Sequence, residues 1–276
     1  MTLRTVFDGD HLRASLAAAP DGATGKLMVT FDFRQVGKTD FAPANVSASF
    51  AKAGFAQLSI KTRANDWFIN ADTRALDSAL ADLATGFDEV RCLGYSMGGY
   101  GAFRFAGALR AKSVVAVSPQ VSIHPAEVPF DRRYKAESRG FDLAEGSLSI
   151  RGIDDLEGLV LYDPFVTADR THAARLAALF PRLCFARLGF GGHPATRVLR
   201  ASGKAWTVQK AALDPQSGGT TVLQAHRQGR RTTEPYWRKL ADYAMSDRPD
   251  LARIALARAA ALKADTAQHE VDRSKR

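Results

Sequence analysis

The chain has 276 residues, 46% of them hydrophobic and 24% charged, a mix that excludes fibrous and intrinsically disordered classes. Its formal net charge of +9 raises the question of acidic partners. No helix-turn-helix, zinc-finger or aromatic ribonucleoprotein spacing accompanies that charge, so nucleic acid is not expected, and residues such as Arg227, Arg230, Arg231, Arg238 and Lys239 read as a solvated basic face.

Met1 to Ala19 lacks the pattern of a secretory signal, because Asp8, Asp10, His11 and Arg13 interrupt it. No run of about 18 apolar residues occurs, so no membrane span is expected. Cys92 and Cys184 both fall in apolar runs and read as small buried hydrophobes. Together these features fit a reduced, cytoplasmic protein.

In chain order, Thr2 to Ala17 with its Asp8-Gly9 turn signal reads as an antiparallel hairpin. Leu27 to Phe31 reads as a buried strand, Pro43 to Ala53 as a helix with Pro43 in its first turn, and Ala56 to Ile60 as a strand. Leu76, Ala79, Leu80 and Leu83 mark one face of a helix over Thr73 to Ala84. The alternation continues with a strand at Val90 to Leu93, a helix at Tyr100 to Leu109 and strands at Val114 to Val117 and Leu159 to Tyr162. A helix over Asp169 to Leu179 and a strand over Leu183 to Leu188 complete it. Such alternation predicts a mostly parallel sheet covered on both faces.

Two stretches break the rhythm. The segment from about 119 to 157 is too long for a structureless loop and reads as a small cap or a helical excursion. Asp214 to Thr233, with Pro215 and Gly218-Gly219, reads as a linker. The expected organisation is therefore a core over 1–213, a linker over 214–233 and a pair of helices over 234–276. In that pair Trp237, Leu240, Ala241, Ala252, Leu256 and Ala259 are spaced somewhat like one tetratricopeptide helix pair. A lone pair cannot bury its own face, so these helices either dock on the core or engage a protein partner.

The strongest chemical signal is Gly94-Tyr95-Ser96-Met97-Gly98, which follows a predicted strand and opens a predicted helix. There a serine at positive φ projects its hydroxyl from a sharp turn, next to the positive end of a helix. A serine hydroxyl needs a base. Of six histidines, His193 stands directly after the last strand in Gly189-Phe190-Gly191-Gly192-His193-Pro194, at the same sheet edge as Ser96. The base needs an acceptor: Asp163, at the end of the preceding strand, is the preferred residue. Asp169 is its competitor, at a helix start where a carboxylate caps N–H groups without any catalytic role.

The order Ser96, Asp163, His193 resembles that of the α/β-hydrolase superfamily, over about residues 25–200. The resemblance implies an eight-stranded, mostly parallel sheet, acyl-transfer chemistry, and no metal or organic cofactor. It also implies an oxyanion hole from the Met97 N–H and one N–H in the loop after the Leu27 to Phe31 strand. That loop reads Phe31-Asp32-Phe33-Arg34-Gln35, without the His-Gly common in lipases and esterases, and by position Phe33 or Arg34 supplies the second donor. Trp67 and Phe68 are expected near the mouth, where Arg34, Lys61, Arg63, Arg132 and Arg133 form either a site for an acidic or sugar-like acyl substrate or a solvated rim.

These readings point to a serine hydrolase cleaving a small carboxylic ester, thioester or amide. An acyltransferase with the same three residues, and a non-catalytic scaffold engaging a partner through 234–276, are the alternatives.

Overall fold

The computed structural model describes residues 3–22, 25–150 and 155–274. Eight strands form one sheet: β1 (Leu3–Asp8), β2 (Leu12–Ala17), β3 (Gly25–Phe31), β4 (Ala56–Thr62), β5 (Phe87–Tyr95), β6 (Ser113–Val117), β7 (Glu157–Tyr162) and β8 (Leu183–Arg187). Their spatial order is β1-β2-β4-β3-β5-β6-β7-β8. The hairpin β1–β2 is antiparallel and β2 joins β4 antiparallel; every later pairing is parallel. The carboxyl ends of β3 to β8 therefore share one edge.

Alternating strand residues feed two separate cores. Val29, Cys92, Val114, Ala116 and Val160 face one layer, where they meet Leu76 and Leu80 of α2 (Thr73–Ala84) and Met97, Tyr100 and Phe103 of α3 (Met97–Arg104). Their neighbours Met28, Leu93, Val115, Val117, Leu159 and Leu161 face the other. That layer holds Phe50 of α1 (Ala48–Lys52). Strands buried on both faces need this continuous apolar run, which is why they are Val- and Leu-rich rather than alternating with polar residues.

Among its described residues, the chain between β6 and β7 holds one short α-helix, α4 (Leu143–Gly146), flanked by 3-10 turns at Glu137–Gly140 and Leu148–Ile150; residues 151–154 of this insertion lie outside the described residues. It is fastened to α2 and α3. Tyr100 Oη donates to Gly146 O at 2.6 Å, and buried Arg104 donates to Glu145 O while pairing with both Asp77 oxygens. After β7 comes α5 (Thr167–Leu179), and after β8 come α6 (Arg197–Ala201) and α7 (Trp206–Leu213).

The expected linker is instead a helix, α8 (Pro215–Gly229), capped by Asp214, whose carboxylate accepts the Ser217 N–H at 3.3 Å. Its Val222 and Ala225 bury in the second core. The Gly218-Gly219 pair marks close packing rather than a turn: a Cβ on Gly218 would stand 2.4 Å from Ala211 Cα, and one on Gly219 would stand 3.3 Å from Leu159.

Three smaller expectations also change. The helix expected from Pro43 begins only at Ala48, because the buried Gln57 amide holds Ser47 extended by accepting its N–H at 2.6 Å and donating to its carbonyl at 3.0 Å. The helix expected from Tyr100 begins at Met97, directly on the turn after β5. Cys184 is exposed, because β8 is an edge strand, whereas Cys92 is buried on a central one.

The last helices are α9 (Glu234–Ala244) and α10 (Pro249–Ser274). Of the two expected options for them, α9 takes the first and docks on the core. Tyr243 packs edge-on against Phe165 at 4.8 Å and Tyr236 against Phe190 at 5.6 Å, while Phe165 and Phe190 stack at 4.0 Å. Among the described residues, no helix is long and apolar enough to cross a membrane.

Candidate active site

Ser96 sits between the last residue of β5 and the first of α3, with φ 51° and ψ −115°. That backbone costs a non-glycine residue about 1–3 kcal/mol. It is held by its own N–H, which donates to Val117 O on the neighbouring strand at 2.8 Å. Two glycines permit the turn. A Cβ on Gly94 would lie 2.0 Å from Gly98 O, and one on Gly98 would lie 2.5 Å from Asp32 O. Met97 is the first residue of α3, so its N–H has no acceptor within that helix.

His193 arrives on the loop after β8. Its Nε2 lies 2.8 Å from Ser96 Oγ, and its Nδ1 lies 2.8 Å from Asp169 Oδ2. With Nδ1–H donating to the carboxylate, Nε2 is left to accept the serine hydroxyl. The structure thus joins Ser96 and His193, as expected, but the carboxylate against the imidazole is Asp169, not Asp163. Asp169 lies in the first turn of α5 rather than at its cap, which turns its side chain inward.

Asp163 has a different task. Its Oδ1 accepts the N–H groups of Phe165 at 3.0 Å and Phe190 at 3.1 Å, and its Oδ2 accepts that of Gly192 at 2.7 Å. It holds the backbone of the loop that carries His193, while Asp169 holds the ring. Burial pushes the Asp163 carboxyl up, and the three N–H bonds only partly reverse this. Burial acts on Asp169 in the same sense. There the hydrogen bond and charge of His193 and the Arg133 guanidinium outweigh it, so its carboxyl lies below the usual value.

Arg133 comes from the insertion after β6. Its Nη1 donates to Asp169 Oδ1 at 2.8 Å, and its Nη2 pairs with Asp131 at 2.7 Å. Asp131 in turn meets the Nε2 of fully buried His172 at 2.9 Å. The Val121 N–H donates to His172 Nδ1 at 3.2 Å, so Nε2 carries the ring proton toward Asp131. Burial lowers the His172 pKa, against the pull of Asp131. For Asp131, burial is outweighed by the bonds from His172 and Arg133, which leave it well below the usual carboxylate range.

The other expected site residues divide. Phe33 and Arg34 line a cavity of about 570 Å³ that holds Ser96 and His193. The Phe33 N–H donates to Asp32 Oδ1 at 3.2 Å, and buried Asp32 is itself paired with Lys38 at 2.8 Å and Lys61 at 3.6 Å. Arg34 is paired with Glu137 at 2.8 Å. Trp67 does not line this cavity. It is fully buried, its ring 4.6 Å from that of Tyr134, and its Nε1 donates to Gln120 Oε1 at 3.1 Å. Arg63 is exposed beside Asp40 and likewise stands apart.

No family model matches the chain, and no curated protein sequence matches it. Among solved structures it is similar to a sugar hydrolase from Lactococcus lactis, at 12% identity over 80% of this chain and 100% of that one, with a TM-score of 0.52. It is also similar to esterase B from Lactobacillus rhamnosis, at 13% identity over 82% and 87% with a TM-score of 0.50. A Staphylococcus aureus protein of unknown function shares 11% identity over 79% and 100%, with a TM-score of 0.51. At such identities the likeness speaks for the fold. The fold is that of the α/β-hydrolases.

On this α/β-hydrolase sheet, sequence reasoning missed two further side chains beside Ser96. Tyr134 Oη lies 3.2 Å from His193 Nε2, the atom that faces Ser96. Gln120 Nε2 lies 3.4 Å from Ser96 Oγ, its amide oriented by Trp67 and by the Ser118 carbonyl at 3.0 Å. Gln120 carried a signal, since it stands just past the end of β6 at the same edge. Tyr134 carried none, lying deep inside an insertion without periodicity.

Proposed function

We propose that the protein is a serine hydrolase that cleaves a carboxylic ester through an acyl-enzyme. The observation that carries this reading is the 2.8 Å contact between Ser96 Oγ and His193 Nε2, continued at 2.8 Å from Nδ1 to Asp169. The Ser96 oxygen bonds to the acyl carbon as its proton passes to His193 Nε2. Asp169 fixes the reactive tautomer and stabilises the imidazolium. The bond from the acyl carbon to the leaving alkoxide then breaks, and His193 returns the proton to that alkoxide. Water repeats the sequence from the same side, releasing the carboxylic acid and restoring Ser96.

The Met97 N–H, at the start of α3, is the first oxyanion donor in this reading. The Phe33 N–H is the second in this reading, and it must leave Asp32 Oδ1, to which it donates at 3.2 Å, to serve the oxyanion. Each such donor is worth about 3 kcal/mol in the transition state. The test is labelling by a fluorophosphonate. Wild-type protein should become covalently modified and Ser96→Ala should not; equal labelling of the two would discard the proposal.

A further inference from the structure

The cavity that holds Ser96 is walled on one side by α6, and its charge is one-sided. Three arginines line it, Arg34, Arg197 and Arg200, and no aspartate or glutamate does. Arg34 is neutralised by Glu137. Arg197 and Arg200 are exposed, and no acidic side chain among the described residues pairs with either. Elsewhere in the fold the arginines near carboxylates are matched: Arg104 with Asp77, Arg133 with Asp131, Arg91 with Glu89.

The spacing places both guanidiniums on one face of one helical turn. Like charges three residues apart on a helix repel. Arg197 lies across the loop that carries His193, with its Cδ 3.5 Å from where a Cβ on Gly192 would stand. The backbone that carries the two cations thus stands beside the reacting groups, because α6 begins at Arg197, only four positions after His193. Guanidiniums present paired N–H donors that match a carboxylate, phosphate or sulfate.

We propose that the substrate is an anionic ester, its negative group held by Arg197 and Arg200 while its carbonyl meets Ser96. This rests on the serine-hydrolase reading and names the substrate class that reading leaves open. The anion belongs either to the acyl chain or to the alcohol, and the experiment has an arm for each.

Two matched ester pairs test it. In the first, mono-4-nitrophenyl glutarate is compared with its methyl ester; in the second, 4-acetoxybenzoate is compared with its methyl ester. The readout is the ratio of kcat/KM for the anionic over the neutral member, taken on one preparation so that folding losses cancel. An exposed ion pair is worth up to about fivefold, so two guanidiniums should give a ratio near ~20 in one pair for the wild type. That ratio should fall toward ~1 in Arg197→Gln/Arg200→Gln, recover in part in the double lysine variant, and shrink in high salt.

Ratios near one in both pairs for the wild type, or a preference that survives the double glutamine variant, would overturn the proposal. Ser96→Ala protein separates this failure from failure of the catalytic reading, because calorimetry on that variant measures binding of the intact esters without turnover. Tighter binding of an anionic member that is lost on replacing both arginines supports the proposal even if no ester is cleaved. Equal binding of both members overturns it even if all are cleaved.

Discussion

Replacing Asp169 and Asp163 separately by asparagine distinguishes a carboxylate that serves the imidazole from one that serves the loop. In Asp169→Asn the amide meets two groups that both donate, His193 Nδ1 and Arg133 Nη1, each 2.8 Å from a carboxylate oxygen in the native protein. If the amide oxygen keeps Arg133, its NH2 faces His193. The ring then relaxes by carrying its proton on Nε2, the atom that must accept from Ser96. The wrong tautomer in a hydrolase of this design costs about 10⁴-fold in kcat, which is about 5 kcal/mol of transition-state stabilisation.

Asp163→Asn removes less. Its amide oxygen can keep the Phe165 and Phe190 N–H groups at 3.0 and 3.1 Å, leaving the Gly192 N–H without its 2.7 Å acceptor. A buried donor left unpaired costs about 1–3 kcal/mol of stability, so this variant should melt lower while its kcat falls by no more than about tenfold. Initial rates with 4-nitrophenyl acetate, normalised to folded protein by thermal melts, make the comparison. A loss in Asp163→Asn equal to that in Asp169→Asn, at matched folded fraction, would refute the division of labour.

Gly94→Ala places a methyl 2.0 Å from Gly98 O, with no side chain to move aside. Such overpacking should destabilise by about 3 kcal/mol, seen as a lower melting temperature with weaker fluorophosphonate labelling; native-like melting would argue against the tight turn. Stability should also fall on acidification. Burial lowers the pKa of His172 and of His226 below the ordinary 6.5, so below about pH 6.5 the unfolded chain binds protons that the native one does not. Each contributes a slope of up to about 1.4 kcal/mol per pH unit. Asp131 and Asp169, lowered in the native state, act in the same direction at lower pH: their stabilisation is present above about 3.8 and is lost as pH falls through their native values. Melting temperature should be flat from about pH 7 to 8 and decline below about 6.5. His172→Gln should flatten that decline, and an unchanged slope would exclude His172 as a contributor.

What could be read from the sequence follows from what each signal encodes. Periodicity encodes burial, so the buried runs at Leu27 to Phe31 and Val114 to Val117 and the helix over Thr73 to Ala84 emerged in place. The Gly-x-Ser-x-Gly spacing encodes backbone sterics, so Ser96 emerged too. His193 followed from topology alone, because parallel strands bring their carboxyl ends together. Asp163 against Asp169 could not be decided this way: both follow β7 within a few residues, and the choice depends on which way each side chain turns. The partner that completes Asp169 is Arg133, 36 residues away along the chain. Helix α8 was obscured because a Gly-Gly pair signals a turn, whereas here it lets α7 and the sheet approach.

The insertion after β6 has a part in the proposed chemistry beyond covering the cavity. Two consecutive residues of it reach different members of the site: Arg133 pairs with the far oxygen of Asp169, and Tyr134 meets His193 Nε2 from the cavity side. Asp131, itself bonded to His172 of α5, holds Arg133 in turn, so the insertion adds a counter-charge to the hydrogen bond and charge of His193 that lower the Asp169 carboxyl. A shortened connection between β6 and β7 that left all eight strands intact would therefore remove the counter-charge under Asp169 and the hydroxyl beside Ser96 together.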